Sequence, residues 1–453
     1  MIQDWTGMRV TVMGLGRFGG GVEVTRWLAR AGARVTVTDQ EPAERLAGSL
    51  AQIADLDVRL RLGGHDEADF RDVDLVVVNP AVPESSEWLA TARRAGVPIS
   101  TEINLFVERC RARVVGVTGS VGKSTITAMI GHMLARTLPT HVWVGGNIGR
   151  SLLDGLDRIG DDDIVVLELS SFQLQRTALV RWSPRIAVIT NITPNHLDWH
   201  GSLAAYTDAK LNIVRFQERK RDAVVIQDTP EMERVCAAVL GAEANVWRYG
   251  LEGEVPMARR RDAGTRLRWE ELRLGVPGRH NRENAAAALT VAHLLGVAPG
   301  AALEALASYE ALPHRLQKVA EQDGVLYYDD SKSTTPESAV TALRSFDRPV
   351  LVILGGYNKG SDLSPVAQEA ARRARLAACI GSTGPHLAEL IRAAGGRAEN
   401  CGDLPTALRL CRQEAQPGDV VLLSPACASW DQFSDYRQRG ELFARLARSG
   451  GVA

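Results

Sequence analysis

Residues 113–125, RVVGVTGSVGKST, constrain this chain more than any other stretch. A β-branched run at 114–117 breaks into a glycine-containing turn and then into Gly122-Lys123-Ser124-Thr125. Beyond it, Ile126, Met129, Ile130, Met133 and Leu134 recur at the i, i+3, i+4 spacing of a helix with one buried face. A strand, a glycine loop and a helix N-terminus together make an anion cradle. Backbone N–H groups converge there, glycine lets the chain come close, and Lys123 adds a positive charge. A hydroxyl after the lysine, from Ser124 or Thr125, suits the Mg²⁺ that accompanies a nucleotide. The general phosphate-loop motif has a glycine five residues before Gly122. This chain has Val117 there, so Thr118-Gly119-Ser120-Val121-Gly122-Lys123 is a shortened form. The competing reading is an ordinary glycine-rich turn, and Lys-Ser-Thr opening a helix argues against it.

The 453 residues suffice for about three domains. Hydrophobic content of 45% and charged content of 24% are those of a soluble globular protein. A net charge of −1 excludes a generic nucleic-acid or membrane-surface binder. The first residues, MIQDWTGMRV, lack the basic region and apolar core of a signal peptide. No apolar run approaches the roughly 18–20 residues that span a bilayer. A cytoplasmic protein is expected. Cys110, Cys236, Cys379, Cys401, Cys411 and Cys427 show no CxxC pair and read as reduced, mostly buried thiols.

The chain divides into three α/β units. The first opens with a strand at 9–13, then Gly14-Leu15-Gly16-Arg17-Phe18-Gly19, a helix to Ala31, and a second strand at 34–38 ending at Asp39. That spacing is the dinucleotide fingerprint, and it predicts a nucleotide diphosphate on the glycine turn without specifying NAD. A further strand at 75–78 ends in Asn79-Pro80, and a boundary is placed near Cys110. In the second unit, strands at 114–117, 164–169 and 185–190 end in the phosphate loop, at Glu168 and before His196. Ligands of open parallel sheets sit beyond strand carboxyl ends, so these groups can converge on a divalent metal. Alone, His196 could be an idle loop histidine. Lys210 lies on a predicted helix and by default is a solvated surface residue. Residues 228–275 read as charge-rich and irregular, with Arg259-Arg260-Arg261 a solvated loop. His280-Asn281-Arg282-Glu283-Asn284 reads as a turn capping an alanine-rich helix. In the third unit, strands at 325–328, 350–354 and 420–423 each end in polar or glycine-rich loops, which predicts a second ligand-bearing face. Cys427 reads as a small core residue.

Together, TGSVGKST, GNIG at 146–149, ELSSFQL at 168–174, TNITPNHLDWH at 190–200, HNRENAAAA at 280–288, DDSKST at 329–334, GGYNKGSDL at 355–363 and LLSPACASWDQFSDYRQRGELF at 422–443 resemble the Mur ligases over essentially the whole chain. The resemblance implies a Rossmann-like N-terminal domain at 1–110 for a uridine nucleotide. It implies a central P-loop ATPase-like α/β domain at 111–312 for ATP, and a C-terminal Rossmann-like domain at 313–453 for the incoming amino acid. It further implies an ATP-dependent amide ligase with Mg²⁺, working through an acyl phosphate on small-molecule substrates, as a monomer. The motifs are most similar to those of the branch adding D-glutamate to UDP-N-acetylmuramoyl-L-alanine. L-glutamate, or another acceptor as in folylpolyglutamate-type enzymes, is the alternative.

By resemblance, Lys123, His196 and Lys210 would be catalytic. Thr118, Gly119, Ser120, Gly122, Lys123, Ser124, Thr125, Asn281, Arg315 and Asp330 would contact ATP. Gly16, Arg17, Phe18, Asp39, Asn79, Asn147, Ser170 and Ser171 would contact the UDP-linked substrate. Lys332, Thr334, Lys359, Ser429 and Tyr436 would surround the amino acid. Ser124, Glu168, His196 and Lys210 would serve the metal, Lys210 as a carbamate. Four positions depart from the family pattern: Val121 for asparagine, Asn358 for an acidic residue, Trp430 for a smaller apolar residue and Tyr436 for phenylalanine.

Overall fold

Runs of β-branched and aliphatic residues close into three sheets in a computed structural model that describes residues 4–16, 20–149, 151–218, 220–241, 243–261 and 264–449. The first sheet contains β1 (Arg9–Met13), β2 (Arg34–Asp39), β3 (Arg59–Leu62), β4 (Leu75–Val78) and β5 (Ile99–Ser100). They pair in parallel in the order β3-β2-β1-β4-β5. Every residue of β4, LVVV, is buried, as expected of a parallel strand covered on both faces. The expected strands at 9–13 and 75–78 are found, and the second strand runs one residue further, through Asp39.

The second sheet contains β6 (Arg113–Thr118), β7 (Val142–Gly146), β8 (Ile164–Glu168), β9 (Ile186–Ile189), β10 (Ala223–Gln227), β11 (Asn245–Glu252), β12 (Val255–Arg260) and β13 (Arg266–Arg268). Their order is β13-β12-β11-β10-β9-β6-β8-β7. The strands from β7 to β11 are parallel, whereas β12 and β13 add antiparallel to the edge. This corrects the irregular reading of 228–275. Arginines on these short edge strands hide the strand pattern because ion pairs rather than apolar burial settle them. Arg259 pairs with Asp228 and Arg261 with Glu233, both at 2.7 Å, so the arginine triplet belongs to a strand and its end rather than a free loop.

The third sheet contains β14 (Gln317–Gln322), β15 (Val325–Asp329), β16 (Val350–Gly355), β17 (Ala374–Ile380), β18 (Ala398–Gly402) and β19 (Val420–Leu423). Their order is β14-β15-β19-β16-β17-β18, with only β14 antiparallel. The chain forms two compact units. One holds the first two sheets, through residue 270, with residues 285–302; the other holds 271–284 and the third sheet. The helix Arg279–Leu294 starts before the expected capping turn, so His280 to Asn284 lie within it. The Asn281 amide turns back to donate to the Pro277 carbonyl at 2.6 Å. Its predicted capping role is therefore not realised. No helix among the described residues is long and apolar enough to cross a membrane. Among the six free cysteines, Cys236, Cys379, Cys411 and Cys427 are buried.

Candidate active site

In the first unit, β6 delivers the chain to Gly119, whose φ of 147° a side chain would strain. A Cβ there would lie 1.8 Å from Thr190 Oγ1. Gly122, at φ 88°, then starts the helix Lys123–Thr137. The loop is fastened from the end of β9: Asn191 O accepts from the Ser120 N–H at 2.8 Å and Asn191 Oδ1 from the Val121 N–H at 3.0 Å. Ser120 Oγ donates to Thr193 O at 3.0 Å. Val121 joins this lattice through its backbone while its side chain is 66% exposed, so the lattice does not depend on that side chain.

Two lysines converge on the loop. Lys123 Nζ donates to Gly119 O and Ser120 O at 3.0 and 3.1 Å. Lys210 Nζ donates to the same Gly119 O at 2.8 Å and lies 4.7 Å from the Tyr206 ring centroid. Lys210 is 1% exposed, which corrects the surface reading: the helix Leu203–Arg215 turns this residue inward. Burial pushes its pKa down to about 6; Lys123 adds to the shift and Glu168 opposes it. His196, at the αL position before the helix Leu197–His200, feels the same groups. Burial holds its pKa below the usual imidazole value, and Lys123 and Lys210 press it further down against Asp198.

Glu168 ends β8 and is 2% exposed. Asn147 Nδ2 donates to its Oε1 at 2.7 Å. Its Oε2 has no hydrogen-bond partner among the described residues. An orphaned buried carboxylate oxygen fits a cation. Among the described residues, no three His, Cys, Asp or Glu side chains gather as a metal site by themselves. Ser170 caps the helix Ser171–Thr177 in a capping box with Gln173. Ser171 Oγ lies 3.0 Å from His200 Nε2. Sequence reasoning missed His200, Tyr206 and Phe172, which with His196 build an aromatic cluster beside the loop.

In the same unit, Gly16, Asp39 and Asn79 line a cavity of about 550 Å³ at the carboxyl ends of β1, β2 and β4, along with His65, Val82 and Trp88. Asp39 accepts from the Gly16 N–H at 3.1 Å and the Glu41 N–H at 2.9 Å. Arg17 and Phe18 lie outside the described residues. His65 and Trp88 were missed because nothing in their local spacing signals a cavity.

In the second unit, Asp330 is buried. It accepts from the Leu316 N–H at 3.2 Å and the Ser424 hydroxyl at 2.8 Å, and burial raises its pKa to about 7. Arg315 acts electrostatically on Asp330, and its Nε is a buried donor without a partner among the described residues. Lys332 Nζ lies 5.5 Å from the Tyr436 ring centroid, and Lys359 Nζ lies 4.3 Å from that of Trp430. Ser429, beside Trp430, is buried, and the Thr334 N–H donates to Lys332 O at 3.0 Å. Arg439, also missed, is fully buried. It ties the loop after β15 to the loop after β19 by donating to Ser331 O at 2.9 Å and Cys427 O at 3.2 Å. A separate cavity of about 620 Å³ is lined by His314, Asp329, Glu441 and Arg445 among others, and by none of the five predicted amino-acid residues.

A phosphate loop at the carboxyl end of an interior parallel strand, faced by two lysines and a buried carboxylate, within a chain of three α/β sheets, defines a nucleotide-using α/β enzyme. The comparisons make this specific. Residues 8–101 match the MurD-like N-terminal domain of Mur ligases, 117–292 the Mur ligase middle domain, and 314–427 the Mur ligase glutamate ligase domain. The chain belongs to the Mur ligase family. It is 37% identical over 460 residues to the UDP-N-acetylmuramoylalanine–D-glutamate ligase of Pelotomaculum thermopropionicum, covering 99% of each chain. It is 40% identical over 464 residues to the enzyme of the same name from Anaeromyxobacter dehalogenans, covering 97% of each. The fold is similar to that of UDP-N-acetylmuramate-alanine ligase MurC from Thermotoga maritima, with a TM-score of 0.60 at 21% identity, covering 97% of this chain and 98% of that one. It is also similar to the MurF ligase of Thermotoga maritima in complex with ADP, with a TM-score of 0.56 at 18% identity and 99% of each chain covered.

Proposed function

We propose that this ATP-dependent ligase joins D-glutamate to the alanyl carboxylate of UDP-N-acetylmuramoyl-L-alanine, a step of peptidoglycan precursor synthesis, as a monomer in the cytoplasm. Near full-length identity of 37–40% to ligases of that name supports the substrates. The convergence of Lys123 and Lys210 on Gly119, with buried Glu168 in electrostatic reach of Lys210, carries the chemistry. In this reading residues 1–110 take the uridine nucleotide, 111–312 the ATP and 313–453 the amino acid.

The substrate carboxylate oxygen attacks the γ-phosphorus, the bond to ADP breaks, and an acyl phosphate forms. The glutamate amine then adds to the acyl carbon and loses a proton, and phosphate leaves the tetrahedral intermediate. Such transfers depend on positioning and on neutralising charge. Gly119, Ser120 and Gly122 let the backbone approach the phosphates, with Thr118 beneath them, and Lys123 supplies positive charge; Ser124 and Thr125 add hydroxyls. Ser124, Glu168 and His196 would hold Mg²⁺, which when bound neutralises phosphate charge. The amine of Lys210 is uncharged above about pH 6, so it can add CO₂ and release a proton, becoming a carbamate that serves the metal. Asn281, Arg315 and Asp330 contact the nucleotide. Gly16, Asp39 and Asn79 hold the UDP end, and Asn147, Ser170 and Ser171 the sugar-peptide part. Lys332, Thr334, Lys359, Ser429 and Tyr436 receive the amino acid.

The test is phosphate release with UDP-N-acetylmuramoyl-L-alanine, ATP, Mg²⁺ and each glutamate enantiomer. Turnover with the D form is expected. Equal or greater turnover with L-glutamate would overturn the stereochemical assignment. A ¹³C carbamate signal from labelled bicarbonate, lost in Lys210→Ala, is expected; its absence in the wild type would remove the role given to Lys210.

A further inference from the structure

Two aromatic side chains stand in water at the carboxyl end of the third sheet. Trp430 is 61% exposed and Tyr357 46%, with ring centroids 5.9 Å apart. Their loops are joined by backbone: the Tyr357 N–H donates to Ala428 O at 2.8 Å and the Ala428 N–H to Tyr357 O at 3.0 Å. Gly356 permits this contact, since a Cβ there would lie 2.2 Å from Ala428 O. Next to it, Asn358 braces the turn that carries Lys359. Its Oδ1 accepts from the Gly360 and Ser361 N–H groups at 3.1 and 2.8 Å, and its Nδ2 donates to Ser361 O at 2.9 Å. The neutral amide brings no negative charge to the lysine. Asp431, the nearest acid along the chain to Trp430, turns its Oδ2 to the Ser382 N–H at 2.7 Å.

We propose that Trp430 is a positioning residue, whose ring face holds the Lys359 ammonium in place as the cation that receives a carboxylate of the incoming dicarboxylic amino acid. This rests on the reading above that these loops take that substrate. Nζ lies 4.3 Å from the indole centroid, and Lys359 makes no ion pair among the described residues. A ring quadrupole attracts the ammonium without neutralising it, so the full charge stays available to an anion. The ring also restrains a long side chain that would otherwise sample many rotamers in water. The ring is thus a positioning group, and only the lysine touches substrate.

The experiment measures KM and kcat for wild type, Trp430→Leu, Trp430→Phe, Lys359→Met and the Trp430→Leu/Lys359→Met double variant, with glutamate and ATP varied separately. Trp430→Leu should raise the KM for glutamate roughly two- to fivefold, with kcat and the KM for ATP changed less than about 1.5-fold. Trp430→Phe should keep most of the wild-type value, and adding Trp430→Leu to Lys359→Met should do nothing more. Thermal midpoints should not move, because the ring is exposed. An unchanged glutamate KM in Trp430→Leu, an equal loss in Trp430→Phe, or additive losses in the double variant would overturn the proposal. If wild type releases no phosphate in response to glutamate, the assigned substrate is itself wrong and this inference falls with it.

Discussion

The phosphate loop of the first unit and the loops of the second that are proposed to receive the amino acid are built in opposite ways. Around Gly119 the two lysines are turned inward and tied to backbone. Lys123 and Lys210 share one carbonyl, and Asn191 and Thr193 hold Ser120 and Val121. Around Trp430 the charged groups point into water and rest on ring faces, while the fastening lies beneath them in buried Arg439. A site that must neutralise a phosphoryl group gains from polar groups already in place, because no reorganisation then remains for the reaction step. A site that admits a small, charged amino acid needs an open cation. The two kinds of site therefore fail differently when altered.

The largest effect is expected at the first. Lys123→Ala should lower kcat by roughly a thousandfold or more, measured by phosphate release. Near-normal turnover would mean that the inward-facing lysine is structural and the contrast is wrong. Next is Gly440→Ala in the second unit. A Cβ there would lie 2.2 Å from His314 Nδ1 and 2.6 Å from Asp329 Oδ2, two atoms themselves 2.7 Å apart. A stability loss of about 1–3 kcal/mol is expected from overpacking, read by urea unfolding.

Smaller is the pH response of Asp330, whose pKa stands at about 7 against 3.8 for a free aspartate side chain. Between these two values the folded protein holds a proton that the unfolded chain has released. Ligand-free stability therefore falls as pH rises from about 4 to 7, with a slope of at most about 1.4 kcal/mol per pH unit. Asp330→Asn should flatten that slope; parallel curves for the two proteins from pH 4 to 7 would show that this carboxyl is not held protonated. The smallest effect is expected at Val121→Asn. The side chain is exposed and the loop is held through its backbone, so stability should stay within about 0.5 kcal/mol of wild type.

Much of the scaffold was legible because it is written in local pattern. The strands beginning at Arg9, Leu75, Val325, Val350 and Val420 are short aliphatic runs that stop at glycine or polar residues, and such runs form buried parallel strands. The antiparallel strands β12 and β13 were not legible, since arginines in them and just after β12 pair with Asp228, Glu233 and Glu252 on other segments. Lys210 was misread as a surface residue for a similar reason. Its burial depends on Gly119, 91 positions earlier, and no helical periodicity reports that. Arg439 was missed because a fully buried arginine looks like any other until Ser331 and Cys427 are seen to receive it.

The sequence by itself determined where an anion could be held: a strand, two glycines and a lysine at a helix N-terminus do this through backbone geometry, which is local. It also determined the family, through motifs spread over the whole chain. Tertiary structure alone decided the charge of the Lys210 amine, the isolation of Glu168 Oε2 and the seating of Lys359 on Trp430. Those properties come from desolvation and from neighbours brought in across the fold, and neither is encoded in the spacing of residues along the chain.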